Sequence, residues 1–372
     1  MTTGDFEGLG SAQLVASYAG YGVYLWNGSW TKIDGGVPTM LAEGDLYGTT
    51  RGNNDNADLV AYYQGYGTYT WQNGAGWTKI DSGSPTLLTT GSFAGGSVAD
   101  IAAVYHGYGV YTWSANGGWD KIDGGSPTML AAGDIYGTTN GNNNNADVIA
   151  YYQGYGTYVW GANTGWNRID TGAPAEFATG NFLGTADGNS NQSDIAAYFA
   201  GYGTYIWSAS VGWQKIDSGH NAGMASVDLN GNGQNELLAY FQNYGVYEYQ
   251  QGAGWSKYDN TSALPTSAQQ ALFATGNFQD GPVVDAAVTF PGQGGIWLDP
   301  PATLADAANA GNAGANTGAG TGTNTPSTAL LGQAIASTFV TPSAGPGASP
   351  LTNTADLTPN QSTLLTQHHA ST

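Results

Sequence analysis

The loop from Asp228 to Glu236 is the stretch of this chain whose residue types best suit chemistry. Oxygen-bearing side chains stand at its first, third, fifth and ninth positions, contributed by Asp228, Asn230, Asn232 and Glu236. Carboxylate and amide oxygens are the ligands of a hard cation such as Ca²⁺, and the intervening glycines permit a tight turn. The spacing therefore predicts a calcium site. The alternative is an Asn/Gly loop whose side chains hydrogen-bond to their own backbone.

A second loop shows a similar spacing in Asp187, Asn189, Asn191 and Asp194. Each of these two loops has only two formal charges among its four candidate ligands. We expect modest calcium affinity, because tight calcium sites use more carboxylates. The corresponding loop near the start of the chain has the apolar Leu9 at its fifth position. We expect that loop to hold no metal.

The positive charges form the second candidate set. Six of the seven Lys and Arg residues recur at equivalent places, each two residues before an aspartate, as in Lys79 and Asp81. Residues two apart on a strand point to the same side, so Lys79 and Asp81 are expected on one side of theirs. A tyrosine in a glycine-flanked turn precedes each such pair, and these turn tyrosines are Tyr21, Tyr66, Tyr108, Tyr155, Tyr202 and Tyr244.

Aromatic rings beside hydrogen-bonding charged groups suit a sugar, whose C–H face stacks while its hydroxyls bond. The turn tyrosines, with Lys79 and Asp81, are therefore candidate ligand-binding residues. The alternative is that each Lys pairs with its Asp to join one repeat to the next, while each Tyr packs over its neighbour.

Catalytic signatures are weak. The chain has no Ser/His/Asp order, zinc-protease motif or phosphate loop, and with no Cys and only 4 His a transition-metal site is disfavoured. We expect no enzymatic activity. Paired acids facing each other across a channel, as in glycoside hydrolases, remain the enzyme alternative.

These residues belong to a repeat. Gly65–Trp71 followed by Trp77–Asp81 recurs with eroded copies near the end, giving seven copies spaced 45, 42, 47, 47, 42 and 49 residues apart. Iteration at this period indicates one supersecondary unit copied along the chain.

Each repeat reads as four short strands, called A to D here. Strand B, as in Asp58–Tyr63, has apolar residues at both its odd and its even positions. This pattern is typical of a strand that is buried on both faces. Short Gly-rich connections favour antiparallel hairpins. We predict an all-β fold, a seven-bladed β-propeller of about 45-residue four-stranded repeats over residues 1–300. The seventh blade should lack strand D, unless Thr338–Thr341 supplies an edge strand.

The Asp-x-Asn-Gly-Asn-Gly-x-x-Glu loop, followed by an apolar strand, resembles the calcium loop of FG-GAP and VCBS repeats, the blade type of integrin α-subunit propellers. The resemblance extends over residues 1–300 and is most specific at this one loop. It implies a binding or adhesion module, often extracellular and in some cases stabilised by calcium.

Composition narrows the partners. The net charge of −20 argues against nucleic acid or an anionic membrane, because both require a basic footprint. No run is apolar enough to span a membrane. Residues 301–372 are mostly Ala, Gly, Asn, Thr, Ser, Pro and Leu, which predicts a disordered tail.

The location of the protein is a further expectation. The N-terminus has no basic and apolar signal segment, so we expect export without a cleaved N-terminal signal, by a route that resembles type I export through the tail. The alternative is a cytoplasmic location. Overall we expect a monomeric, lectin-like module that binds a glycan or a cell-surface protein. A structural or protein-binding propeller without a small ligand is the first alternative, and a polysaccharide-active enzyme the second.

Overall fold

The computed structural model describes residues 1–49, 56–138, 145–188, 192–258, 264–278, 284–291 and 296–299. These residues form seven antiparallel sheets in which consecutive strands are neighbours. The first strand of each sheet contacts the first strands of the sheets on either side, and β1 of the first sheet contacts β25 of the last. The sheets therefore close into a ring, and the predicted seven-bladed β-propeller is confirmed at the level of architecture.

Among the described residues, six blades have four strands and the seventh has three. Blades 1 and 2 contain β1 (Thr2–Gly4), β2 (Gln13–Tyr18), β3 (Gly22–Trp26), β4 (Trp30–Asp34), β5 (Met40–Gly44), β6 (Asp58–Tyr63), β7 (Gly67–Gln72) and β8 (Gly76–Asp81). Blades 3 and 4 contain β9 (Leu87–Gly91), β10 (Asp100–Tyr105), β11 (Gly109–Ser114), β12 (Gly118–Asp123), β13 (Met129–Gly133), β14 (Asp147–Tyr152), β15 (Gly156–Gly161) and β16 (Gly165–Asp170).

Blades 5 and 6 contain β17 (Pro174–Gly180), a 3-10 helix (Gly184–Asp187), β18 (Asp194–Phe199), β19 (Gly203–Ser208), β20 (Gly212–Lys215), β21 (Asn221–Val227), β22 (Glu236–Phe241), β23 (Gly245–Gln250) and β24 (Gly254–Lys257). Blade 7 contains β25 (Leu272–Gly276), β26 (Asp285–Thr289) and β27 (Trp297–Asp299). Among the helices described, none is long and apolar enough to cross a membrane.

The core lies between blades. Every residue of β2 and of β6 is buried, as predicted for a strand B enclosed on both faces. One apolar cluster joins Val15 and Leu25 of blade 1 to Leu59 and Trp71 of blade 2, and similar clusters fill the other seams. Sheet-on-sheet burial of this kind stabilises the ring, because a single blade cannot cover both of its own faces.

An acidic residue begins strand B in six blades and closes the preceding loop. Asp58, for example, is fully buried and accepts a hydrogen bond from the Leu46 N–H at 2.8 Å. Gln13 takes this place in blade 1, where its side-chain oxygen accepts from the Glu7 N–H at 3.0 Å. The other members of this acid ring are Asp100, Asp147, Asp194, Glu236 and Asp285, and each accepts from a loop N–H.

A tyrosine ends strand B in blades 1 to 4. In blades 2, 3 and 4 its hydroxyl donates to the aspartate that ends strand D of the preceding blade, at 2.8–2.9 Å: Tyr63 to Asp34, Tyr105 to Asp81 and Tyr152 to Asp123. We call this contact a latch. Phenylalanine replaces the tyrosine in blades 5, 6 and 7, at Phe199, Phe241 and Phe290, so these seams carry no latch.

The strand pairing in the seventh blade shows that Trp297 was wrongly aligned with the other repeats. In the repeat alignment, Trp297 ends an eroded copy of Gly65–Trp71 and so corresponds to Trp71, but in the sheet Val288 pairs with Trp297 just as Ala61 pairs with Tyr69. Trp297 therefore stands at the Tyr69 position and contacts Phe290, with ring centroids 5.4 Å apart. The strand proposed at Thr338–Thr341 and the tail at 301–372 lie outside the described residues.

The acid ring makes stability depend on pH. Burial raises the pKa of Asp58 to about 6 and the pKa values of Asp194 and Glu236 to about 7, above ordinary values of 3.8 and 4.5. A carboxyl group whose pKa is raised by folding stabilises the native state fully below its ordinary pKa. That contribution is lost as pH rises through the raised value.

We therefore expect the free energy of unfolding to be larger at pH 5 than at pH 8, by on the order of 1 kcal/mol per carboxyl group. Urea unfolding at both pH values measures it, in high salt so that general charge repulsion is screened. Asp58→Asn, which cannot titrate, should make the dependence shallower. Equal stability at both pH values would contradict the assignment.

Candidate functional site

The turn tyrosines project from one face of the ring, here called the turn face. Each lies in a turn from strand B to strand C, as when the Tyr66 N–H donates to the Tyr63 carbonyl at 2.9 Å. Gly67 has φ +111, and a Cβ there would lie 2.1 Å from the Asp81 carbonyl oxygen, so the end of strand D reaches the same face. The turn tyrosines and the ends of the D strands therefore lie on one face of the ring.

Five of the six turn tyrosines are exposed. Tyr21 is 52% exposed, and the exposed fraction reaches 68–72% for Tyr108, Tyr155, Tyr202 and Tyr244. Tyr66 is the exception, because it packs partly against the apolar cluster between blades 1 and 2. Exposed aromatic rings repeated around one face form a surface on which ligands can stack.

Two of these tyrosines line cavities between blades. The smaller cavity has a volume of about 780 Å³ and lies between blades 3 and 4. Its walls include Tyr155, Tyr158 and Trp166 of blade 4, with His106 and the latched Asp123 of blade 3. The Trp166 Nε1–H donates a hydrogen bond to the Ile122 carbonyl at 3.1 Å, so it is not free to donate to a ligand.

The larger cavity has a volume of about 1110 Å³ and lies between blades 4 and 5, reaching blade 6. Its lining includes Tyr202, Tyr205 and Trp213, which supply aromatic surface, together with polar side chains. The polar ones are Gln153, Asp170, Glu176, His220, Asn221, Gln269 and Gln270. Both cavities combine aromatic walls with a few hydrogen-bonding groups, which is the usual composition of a small-ligand site.

The predicted Lys and Asp positions are separated by a bulge. In strand β8, Lys79 pairs with Tyr69 while Asp81 pairs with Thr68, which leaves Ile80 unpaired. The Lys79 Nζ lies 5.8 Å from the centroid of the Tyr69 ring on the blade 1 side, whereas Asp81 accepts from Tyr105 of blade 3. The expectation that Lys79 and Asp81 share one side of the strand was wrong, because the bulge turns Asp81 over.

The alternative, a Lys–Asp ion pair between repeats, is not what the structure shows for Lys79 and Asp81. The lysine contacts a tyrosine ring, and the aspartate accepts a hydrogen bond from a tyrosine of the next blade. Lys32, Lys121 and Lys215 also lie over tyrosine rings, at 5.6–5.8 Å. Three of the aspartates, Asp34, Asp81 and Asp123, join neighbouring blades through latches, and Asp81 also accepts from the Gly83 N–H at 2.7 Å. A ligand role for Lys79 and Asp81 stays a prediction, and the structure gives both residues contacts of their own.

The loop Asp228–Glu236 is closed by its own hydrogen bonds. The Asp228 carboxylate accepts from the N–H groups of Asn232 and Gly233, and the Asn230 side-chain amide donates to Glu236 at 2.6 Å. Asp5 makes the equivalent contacts in blade 1, accepting from Leu9 and Gly10 at 2.8 Å, although its loop was expected to hold no metal. The loop shape therefore does not require a cation.

The donor set of this loop nevertheless fits a hard cation. Carboxylate oxygens that accept one N–H retain further lone pairs, and two carboxylates with two amide oxygens are the chemistry that Ca²⁺ prefers. Within the part of the chain that the structure describes, no cluster of three or more His, Cys, Asp or Glu residues suits a metal. Glu236 also belongs to the acid ring, where it accepts a hydrogen bond from the Leu229 N–H and closes its loop.

The second candidate calcium loop is only partly described. Asn189 and Asn191 lie outside the described residues. Asp187 is buried at the end of the 3-10 helix and accepts from the Ser210 hydroxyl at 3.3 Å. Asp194 belongs to the acid ring and accepts from the Leu183 N–H at 2.7 Å. The role of these four residues as calcium ligands stays a prediction.

Sequence reasoning missed the residues that distinguish the larger cavity. Glu176 and His220 have no counterparts in the other repeats, and His106 of the smaller cavity stands where other repeats have Gln or Ala. Their significance depends on position, because Glu176, Asn221 and Gln270 come from three different repeats. Only the closed ring brings them to one cavity.

Comparisons with known proteins bear on the fold. No protein-family model matches the chain. No curated protein matches it either. A structure of BBS1N in complex with ARL6DN, soaked with mercury, is 11% identical with a TM-score of 0.55, and the match covers 77% of this chain and 88% of that one.

Two further structures are similar at lower scores. AofleA from Arthrobotrys oligospora is 14% identical with a TM-score of 0.41, covering 70% of this chain and 81% of its own. The SapL1 lectin in complex with alpha methyl fucoside is 16% identical with a TM-score of 0.40, covering 66% and 91%. At 11% identity, the likeness to the BBS1N structure concerns the fold alone. The ring of sheets makes the chain an all-β propeller, and the resemblance to FG-GAP and VCBS repeats stays an interpretation of its loops.

Proposed function

We propose that this protein is a non-catalytic carbohydrate-binding propeller that holds neutral glycans between neighbouring blades on its turn face. The observation that carries the proposal is the pair of adjacent cavities built from the same repeat elements, each with an exposed turn tyrosine at its wall, Tyr155 in one and Tyr202 in the other. Repetition of one kind of site around a ring suits a ligand that offers repeated sugar units.

The chemistry of the cavities supports sugars. A pyranose ring stacks its C–H face on tyrosine or tryptophan, while its hydroxyls exchange hydrogen bonds with carboxylate, amide and imidazole groups. The net charge of −20 opposes the approach of sulfated or uronic-acid glycans. Neutral glycans are therefore the favoured class.

Replacing both cavity tyrosines tests this function. Tyr155→Ala with Tyr202→Ala should weaken binding to a neutral-glycan array by about tenfold or more, because each site loses a stacking surface. Tyr108→Ala is the matched control, since Tyr108 is equally exposed at 72% but lines neither cavity. Absence of binding to any glycan by the native protein would refute the function, and would favour the protein-binding alternative.

The FG-GAP and VCBS resemblance supports two further parts of the proposal. One is adhesion to a glycan or protein at a cell surface, with the protein acting as an extracellular monomer. The other is weak calcium binding at the loop Asp228–Glu236. Bound calcium would supply positive charge beside Glu236, whose burial raises its pKa to about 7.

Calcium removal tests the second part. The melting temperature should be higher in millimolar calcium than in chelator by roughly 1–3 °C, because a ligand that binds only the native state stabilises it. Asp228→Asn should abolish this difference. Asp5→Asn, which alters the equivalent carboxylate of blade 1, should preserve it. Identical melting temperatures with calcium and with chelator would count against calcium binding.

A further inference from the structure

The larger cavity contains a carboxylate where the repeat has an apolar side chain. Glu176 pairs with Tyr198 in blade 5, just as Met40 pairs with Tyr62 and Met129 with Tyr151. Glu176 is only 8% exposed, and its Oε2 has no hydrogen-bond partner. A buried acceptor without a partner destabilises the fold unless something binds it.

Asn221 completes a pair with Glu176. Its Oδ1 accepts from the Gly223 N–H at 3.0 Å, and the same N–H also hydrogen-bonds to Glu176, so the two side chains meet at one backbone group. Asn221 is 2% exposed, and its Nδ2 has no partner.

A third unpartnered group lines the blade 4 side of the same cavity. The Trp213 Nε1–H has no acceptor, whereas its counterparts Trp77, Trp119, Trp166 and Trp255 donate to carbonyls of the preceding blade. Asp170 is also more available here than Asp123 is in the smaller cavity. Phe199 cannot latch Asp170, which keeps its bond from the Gly172 N–H at 2.7 Å.

We propose that the larger cavity is the specificity site, where a neutral sugar donates a hydroxyl hydrogen to Glu176 and accepts a hydrogen bond from Asn221. This deepens the proposed glycan function and rests on it. A pair of adjacent hydroxyls matches one acceptor and one donor, because each hydroxyl both donates and accepts. Tyr202 lines the same cavity and offers it an exposed aromatic ring.

Glu176→Met separates binding from folding, because methionine is the residue that the repeat itself places there. Titrations would use methyl glycosides of glucose, galactose, mannose and fucose, beginning with the one that the native protein binds best. The variant should melt at a higher temperature and bind at least about tenfold more weakly. Glu176→Gln, which keeps an acceptor oxygen and the shape, should lose less affinity.

The outcomes distinguish this inference from the general function. Unchanged affinity in Glu176→Met, with binding still sensitive to Tyr155→Ala, would overturn the specificity site and leave the glycan function standing. A lower melting temperature in Glu176→Met would show that the carboxylate supports the fold, which also overturns the inference. No glycan binding by the native protein would remove both.

Discussion

Burial of strand B on both faces is the constraint on which the rest of the structure depends. A strand enclosed between two neighbouring sheets has little room for polar side chains along its length, so most of its hydrogen-bonding side chains lie at or next to its two ends. The acid at the start closes a loop on one face of the ring, as Asp58 does. The tyrosine at the finish, such as Tyr63, joins the preceding blade on the other face. The burial of strand B thus determines both the shape of the loop that precedes it and the hydrogen bond that joins it to the preceding blade.

The candidate binding sites arise where this scheme is broken. Phe199 removes a latch, Glu176 places a carboxylate in an apolar position, and Trp213 lacks the carbonyl that most of its counterparts reach. All three border the larger cavity. In a repeat protein, regular positions satisfy one another, so polar groups left over after packing accumulate at the exceptions.

The sequence predicted the elements well and their pairing less well. Strand B was located at Asp58–Tyr63 as the structure has it, because its apolar run and Gly-rich borders are local signals. The separation of Lys79 from Asp81 depends on a bulge at Ile80 that no residue type announces. Aligning repeats by tryptophan misplaced Trp297, since tyrosine and tryptophan fill the same space beside Phe290. The calcium pattern at Asp228 was ambiguous because one spacing serves both a metal and the backbone of the loop.

The latches are distributed unevenly around the ring. Blades 1 to 4 are joined by Tyr–Asp hydrogen bonds across three successive seams, whereas a phenylalanine ring occupies the place of the latch at the seams into blades 5, 6 and 7. The larger cavity lies at the first seam without a latch, where Asp170 of blade 4 and Glu176 of blade 5 both line it. A molecule that bound both carboxyl groups would take over the role of the missing tyrosine hydroxyl and bridge the two blades.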